Sequence, residues 1–125
     1  MGITFVDPGY IARQKAENER LAKDSKDNAL ATATLAAPGE YYRNSVLKVE
    51  SSYSSASVTG LLQIKDGTTV IAEKYIHGAG AIDFDNIIGH PSAARNQAMS
   101  AELAASGTGG VLGKVFLVGF NVKEG

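Results

Sequence analysis

From Leu30 onward, apolar and polar positions alternate with a period of two, the pattern of strands with one dry and one wet face. In "ALATATLAA", Ala31, Ala33 and Leu35 share one face and Thr32 and Thr34 the other, until Pro38 and Gly39 break the run. "NSVLKVESSYS" sets Leu47, Val49 and Ser51 against Lys48 and Glu50, and "SVTGLLQI" sets Val58, Gly60, Leu62 and Ile64 against Thr59 and Gln63. Asp66 and Gly67 separate "LLQIK" from "TTVIAEKYI" and predict a tight hairpin, because the type I′ turn needs positive φ at both central residues. "AIDF" adds a short strand, "GHPSAARNQAM" reads as a loop, and Met99–Ala105 with Val111–Val122 reads as a closing hairpin around "GTGG". Strands near residues 30, 46, 57, 69, 80, 98 and 111, with no long helix between them, exclude parallel βαβ units. The expected fold is mainly β: an antiparallel β-sandwich, jelly-roll-like in preference to immunoglobulin-like.

The last strand has no polar side. Leu112, Phe116, Val118, Phe120 and Val122 fall on one face, Val111, Val115 and Leu117 with Gly113 and Gly119 on the other, and only Lys114 and Asn121 interrupt. Leaving a second apolar face wet costs on the order of several kcal/mol, so something covers it: a helix of the same chain or a neighbouring copy. Val115, Phe116, Leu117, Val118 and Phe120 are therefore the candidate oligomer interface.

Before Leu30 the pattern differs. Asp7 is placed to cap a helix starting at Pro8, and the following residues to Asp24 avoid β-branched side chains apart from Ile11. The predicted helix, Pro8 to Asp24, has only a thin apolar stripe amid charges, so it either lies as a solvated helix along its own domain or docks as an arm on a partner surface. Residues 1–28 are accordingly read as an N-terminal α-helical arm, with Phe5, Tyr10, Ile11 and Leu21 as its docking side chains, and residues 29–125 as the sandwich body.

A chain of 125 residues is long enough to bury about two thirds of its unfolded surface without a disulfide or metal. Twelve Lys and Arg against thirteen Asp and Glu leave a net charge of −1, which supplies no long-range attraction for nucleic acid or anionic lipid. With no cysteine, thiolate metal sites and Cys nucleophiles are excluded. No signal peptide or membrane-length apolar run is present in the sequence given.

Candidate chemistry is sparse. His77 and His90 lack a third ligand at metal spacing, and Asp83, Asp85 and Asn86 lack the ligand spacing of a calcium loop, so no metal is expected. The serines of "ESSYSSAS" lie in no nucleophile turn, and the glycines of "GAGA" and "GTGGVLG" precede no helix with a lysine, so neither catalysis nor a nucleotide cofactor is expected. "EYYRNS" makes Tyr41, Tyr42 and Arg43 candidate surface contacts, with Tyr53 and the Asp83–Asn86 loop as further candidates for a glycan or protein.

"SASVTGLLQIKDGTTVIAEKYIHGAGAIDFD", the loop with Pro91 and Asn96, and "AMSAELAASGTGGVLGKVFLVGFNV" resemble small virion proteins of tailed bacteriophages, the head decoration (cement) and head or neck fibre group. The resemblance covers about residues 45 to 123. It implies a non-enzymatic β-sandwich that assembles as a homotrimer in the virion, after synthesis in the host cytoplasm. Its partners would be copies of itself and the major capsid protein, reached through the arm. A glycan- or receptor-binding adhesin module on a fibre or tail is the competing reading.

Overall fold

The computed structural model describes residues 8–124. It is mainly β, with one N-terminal helix and two facing antiparallel sheets. Helix α1 (Pro8–Asn18) is followed by β1 (Glu19–Asp27), β2 (Ala31–Leu35), β3 (Tyr42–Tyr53), β4 (Thr59–Asp66), β5 (Thr69–His77), β6 (Ala79–Asp83), β7 (His90–Pro91), β8 (Met99–Leu103) and β9 (Leu112–Lys123). The hydrogen-bonded order is β1-β9-β3-β6-β5-β4-β8-β2, with β7 beside β3. Its halves join only at His77 and Ala79, where the ladder folds over. At the far ends β1 and β2 meet again: the Thr32 N–H donates to Asp24 Oδ2 at 2.9 Å and Arg20 donates to the Ala36 carbonyl at 3.3 Å.

The inner sheet follows the expected alternation. Ala31, Leu103 and Leu62 form one cross-strand row and Ala33, Ala101 and Ile64 the next, all six buried. They face Val46, Val49, Val115 and Leu117 of the outer sheet, and this contact is the main core. Val46 and Val49 are an odd number of residues apart and both point inward, because the register slips between Val46 and Lys48. That bulge turns Leu47 to the outer face, opposite to the expected alternation with Val49.

The predicted hairpin joins β4 to β5, one residue later than expected. Asp66 pairs with Thr69, so the two loop residues are Gly67 and Thr68, with Gly67 at φ +62°. The expected closing hairpin is not one. β8 pairs with β2 and β4 in the inner sheet, β9 with β1 and β3 in the outer sheet, and residues 104–111 carry the chain across. Gly107 and Gly110, both at positive φ, donate their N–H groups to Asn28 Oδ1 and Asp27 Oδ1, each at 2.8 Å, which ties this crossing to the β1–β2 turn.

The predicted helix is also shorter. It stops at Asn18, and residues 19–27 pair with residues 112–120 of β9, from Glu19 opposite Phe120 to Asp27 opposite Leu112. Nine consecutive partners on β9 outweigh the helix preference of "ERLAKDSKD", a case of tertiary context overriding propensity.

Candidate functional site

The two faces of β9 are both covered within one chain. Val115 and Leu117 lie in the main core, while Val118 and Phe120 form a second, outer cluster with Leu47. Ile11 of α1 packs on that outer cluster together with Phe116 and Val122, and the Tyr10 hydroxyl donates to the Lys123 carbonyl at 3.4 Å. The dryness that marked these five residues as an oligomer interface thus needs no second subunit. Phe116 alone of the five keeps part of its surface open. Of the arm residues, Ile11 and Tyr10 contact the body, Leu21 stands on β1 and is 62% exposed, and Phe5 lies outside the described residues.

Two candidate contact residues turn out to be internal ties. The Arg43 guanidinium is held by Glu124 through Nε and by the Ser92 carbonyl, to which it donates at 2.7 Å. Tyr53 is buried, its hydroxyl donates to the Ala104 carbonyl at 2.7 Å, and burial pushes its phenol above the ordinary 10.0. Arg43 and Tyr53 therefore offer little to an external ligand, whereas Tyr41 is 54% exposed and Tyr42 partly so.

Between Asp83 and Asn86, the Asp85 carboxylate turns back on its own chain. Oδ1 accepts from the Ile87 and Ile88 N–H groups at 2.8 and 2.9 Å, and these bonds hold its pKa below the ordinary 3.8. His77 Nδ1 sits 2.7 Å from Thr59 Oγ1, and His90 rests against the Phe84 ring at 5.2 Å between centroids. Among the described residues no three His, Cys, Asp or Glu side chains converge as a metal site.

The concave feature that does emerge is a groove of about 920 Å³ on the outer face of β1, β9, β3 and β6. Register builds it from two outward rows: Lys23, Phe116, Glu50 and Ala81, then Ser25, Lys114, Ser52 and Ala79. Between them the row Asp24, Val115, Ser51 and Gly80 contributes mainly backbone, since Val115 and Ser51 are buried and Asp24 bonds toward β2. Both carboxylates are engaged, Asp24 by Lys26 at 2.8 Å and Glu50 by Lys48 at 3.6 Å. The Lys26 contact and the Thr32 N–H, in that order, hold the Asp24 carboxyl below its ordinary 3.8. Lys23 and Lys114 have no ion-pair or hydrogen-bond partner among the described residues, and the Ser25 and Ser52 hydroxyls have none either. Sequence reasoning noted Lys114 as an interruption in an apolar strand. Only the register of β1 with β9 sets Lys23 and Ser25 beside it, and the helical pattern that runs to Asp24 hides that pairing.

No helix among the described residues is long and apolar enough to cross a membrane. No family model matches the sequence, and no curated protein matches it either. Among solved structures, the chain is similar to one from the acid-stable capsid of Helicobacter pylori bacteriophage KHP30: TM-score 0.53, 16% identity, covering 85% of this chain and 94% of that one. It overlaps more loosely with a CBM36 domain of a multidomain xylanase from the hindgut metagenome of Trinervitermes trinervoides: TM-score 0.46, 8% identity, 86% and 99% covered. A chain of the cyanophage Pam1 capsid overlaps at TM-score 0.39 and 12% identity, with 82% and 84% covered. At these identities the likeness is one of fold: this chain shares an antiparallel β-sandwich with a chain of a phage capsid.

Proposed function

We propose that this chain is a structural protein of a phage virion that decorates and stabilises the capsid. The observation that carries the reading is the overlap with the KHP30 capsid chain, which spans 94% of that chain and so involves the whole domain rather than a shared hairpin. The glycine-rich carboxyl-terminal pattern supports the same reading from sequence.

In this proposal the protein assembles as a homotrimer, contacts the major capsid protein, and resides in the virion without catalysing a reaction. The sandwich is of jelly-roll type. Residues 1–28 take part in docking, with Phe5 and the exposed Leu21 as contact side chains. Because Val115, Leu117, Val118 and Phe120 are occupied within the chain, subunits would meet through other surfaces, among them the exposed side chains of Leu21, Tyr75, Ile87 and Ile88.

Two measurements test it. Light scattering on the purified protein gives a trimer mass if the assembly is right, and a monomer at all concentrations removes it. Co-sedimentation with capsids of the phage that carries the protein gives saturable binding if decoration is right. Unsaturable or absent binding refutes the capsid role.

A further inference from the structure

We infer that the outer-sheet groove is a binding site for a carboxylated saccharide, a chain of uronate type. Three features of the groove carry this, and none depends on the capsid reading.

The first is charge. Of the three ionisable side chains that face the groove, the Glu50 carboxylate already has a lysine partner and the two lysines have none among the described residues. The charge left to attract a ligand is cationic, at Lys23 and Lys114. The second is shape: a volume of about 920 Å³ falls within the range of small-ligand clefts. Its floor is made shallow by Ala79, Gly80 and Ala81 and carries one half-open aromatic, Phe116. Lys23 stands opposite Phe116 on the neighbouring strand, and Lys114 lies two residues before it on the same face. A sugar ring resting on Phe116 would place its carboxylate within reach of either ammonium.

The third is the arrangement of hydroxyls, which favours a sugar over an acidic peptide. Ser25, Lys114 and Ser52 form one straight row across β1, β9 and β3, spaced by about 4.8 Å per strand. Two free hydroxyls flank one ammonium, a donor-and-acceptor set suited to a ligand dense in hydroxyl groups. The four strands below the groove pair side by side, so its floor offers no open backbone edge for a peptide to extend; the free edges of β1 and β6 lie only at its margins.

The test is calorimetric titration of the full chain with trigalacturonate, its fully methyl-esterified form, and a glutamate oligopeptide of equal charge. Trigalacturonate is expected to bind with an affinity that falls as salt rises, and the neutral ester to bind more weakly. Lys23→Gln and Lys114→Gln should each weaken binding by about threefold or more. Arg95→Gln removes the same charge from an exposed site outside the groove and should leave binding unchanged. Phe116→Leu keeps an apolar side chain under α1 and should still lower affinity. No binding of trigalacturonate at millimolar concentration overturns the inference. So does equal binding of the ester, a loss with Arg95→Gln as large as with Lys114→Gln, or binding of the peptide in preference to the sugar.

Discussion

Tyr53 lies across Gly60. A Cβ at position 60 would overlap the Tyr53 hydroxyl oxygen and come within 2.7 Å of Cζ, and that hydroxyl is the group that donates to Ala104. The glycine in β4 is thus the space into which an aromatic ring of β3 fits, and the ring closes the end of the core next to the crossing from β8 to β9.

Gly60→Ala should therefore destabilise the protein by about 2 kcal/mol or more, since the ring must move and its buried hydrogen bond break. Tyr53→Phe should cost about 1 kcal/mol, the worth of one hydrogen bond with its acceptor left behind. Denaturant unfolding of both variants measures these costs. The raised phenol pKa adds a sign: Tyr53 favours the folded state fully below 10.0, and this share is lost as pH rises through its folded value. Alkaline unfolding of Tyr53→Phe should lack that part of the pH dependence.

An eleven-residue helix is marginal in water on its own, and no residue of α1 is buried. Its attachment rests on Ile11 against the outer cluster and on the Tyr10 contact. Ile11→Ser is expected to release α1 at a cost of about 1 kcal/mol. Hydrogen exchange should then quicken across residues 8–18 while the β3–β9 ladder stays protected. Equal loss of protection in both would show that the helix is integral to the sandwich.

Asn44 is fully buried and satisfied on all sides. Its Nδ2 donates to the carbonyls of Leu35, Ala36 and Gln97, and its Oδ1 accepts from Arg20 at 3.1 Å. Asn44→Ala should cost about 2–3 kcal/mol through the stranded partners. Asn44→Asp sets a carboxylate oxygen against three carbonyls, so that variant should gain stability as pH falls and the carboxyl becomes a donor. Unfolding midpoints of both variants across acid pH check this.

At Asp85 the expected pH dependence has the opposite sign. Its folded pKa is lowered by the Ile88 and Ile87 N–H groups, so the turn is secured above the ordinary 3.8 and loosens as pH falls through the folded value. NMR titration should show this carboxyl protonating below 3.8, with the Ile87 and Ile88 amide shifts moving in step. Asp85→Ala should abolish that linked shift.

What could be read in advance follows from how local its cause is. The Ala31–Leu35 alternation and the Gly67 hairpin depend on residues close in sequence, and both are present, the turn displaced by one residue beside the bulge at Ile64 and Lys65. β1 was missed because its inward positions, Ala22 and Asp24, are small or charged, and what makes it a strand is β9, more than eighty residues away. "GTGG" serves a turn between paired strands and a crossing between sheets equally well, and only the partners of β8 and β9 distinguish them. Arg43 and Tyr53 have the composition of a contact surface because a buried tie and an exposed anchor call for the same residue types. The groove stayed hidden for a related reason: its lysines and serines are neighbours only through register.

The pairing of β1 with β9 governs when the protein can be completed during synthesis. Residues 19–27 leave the ribosome before residues 112–120, their strand partner among the described residues, so they wait as an unpaired, charged segment while the strands between them are made. β3 waits for its longest ladder as well, since that is with β9, though it can pair earlier with β6 and β7. The outer sheet therefore closes in one late step of high sequence separation, a topology that folds slowly. The charges of "ERLAKDSKD" have a second consequence in that interval: charged side chains along an unpaired strand disfavour edge-to-edge pairing with another chain.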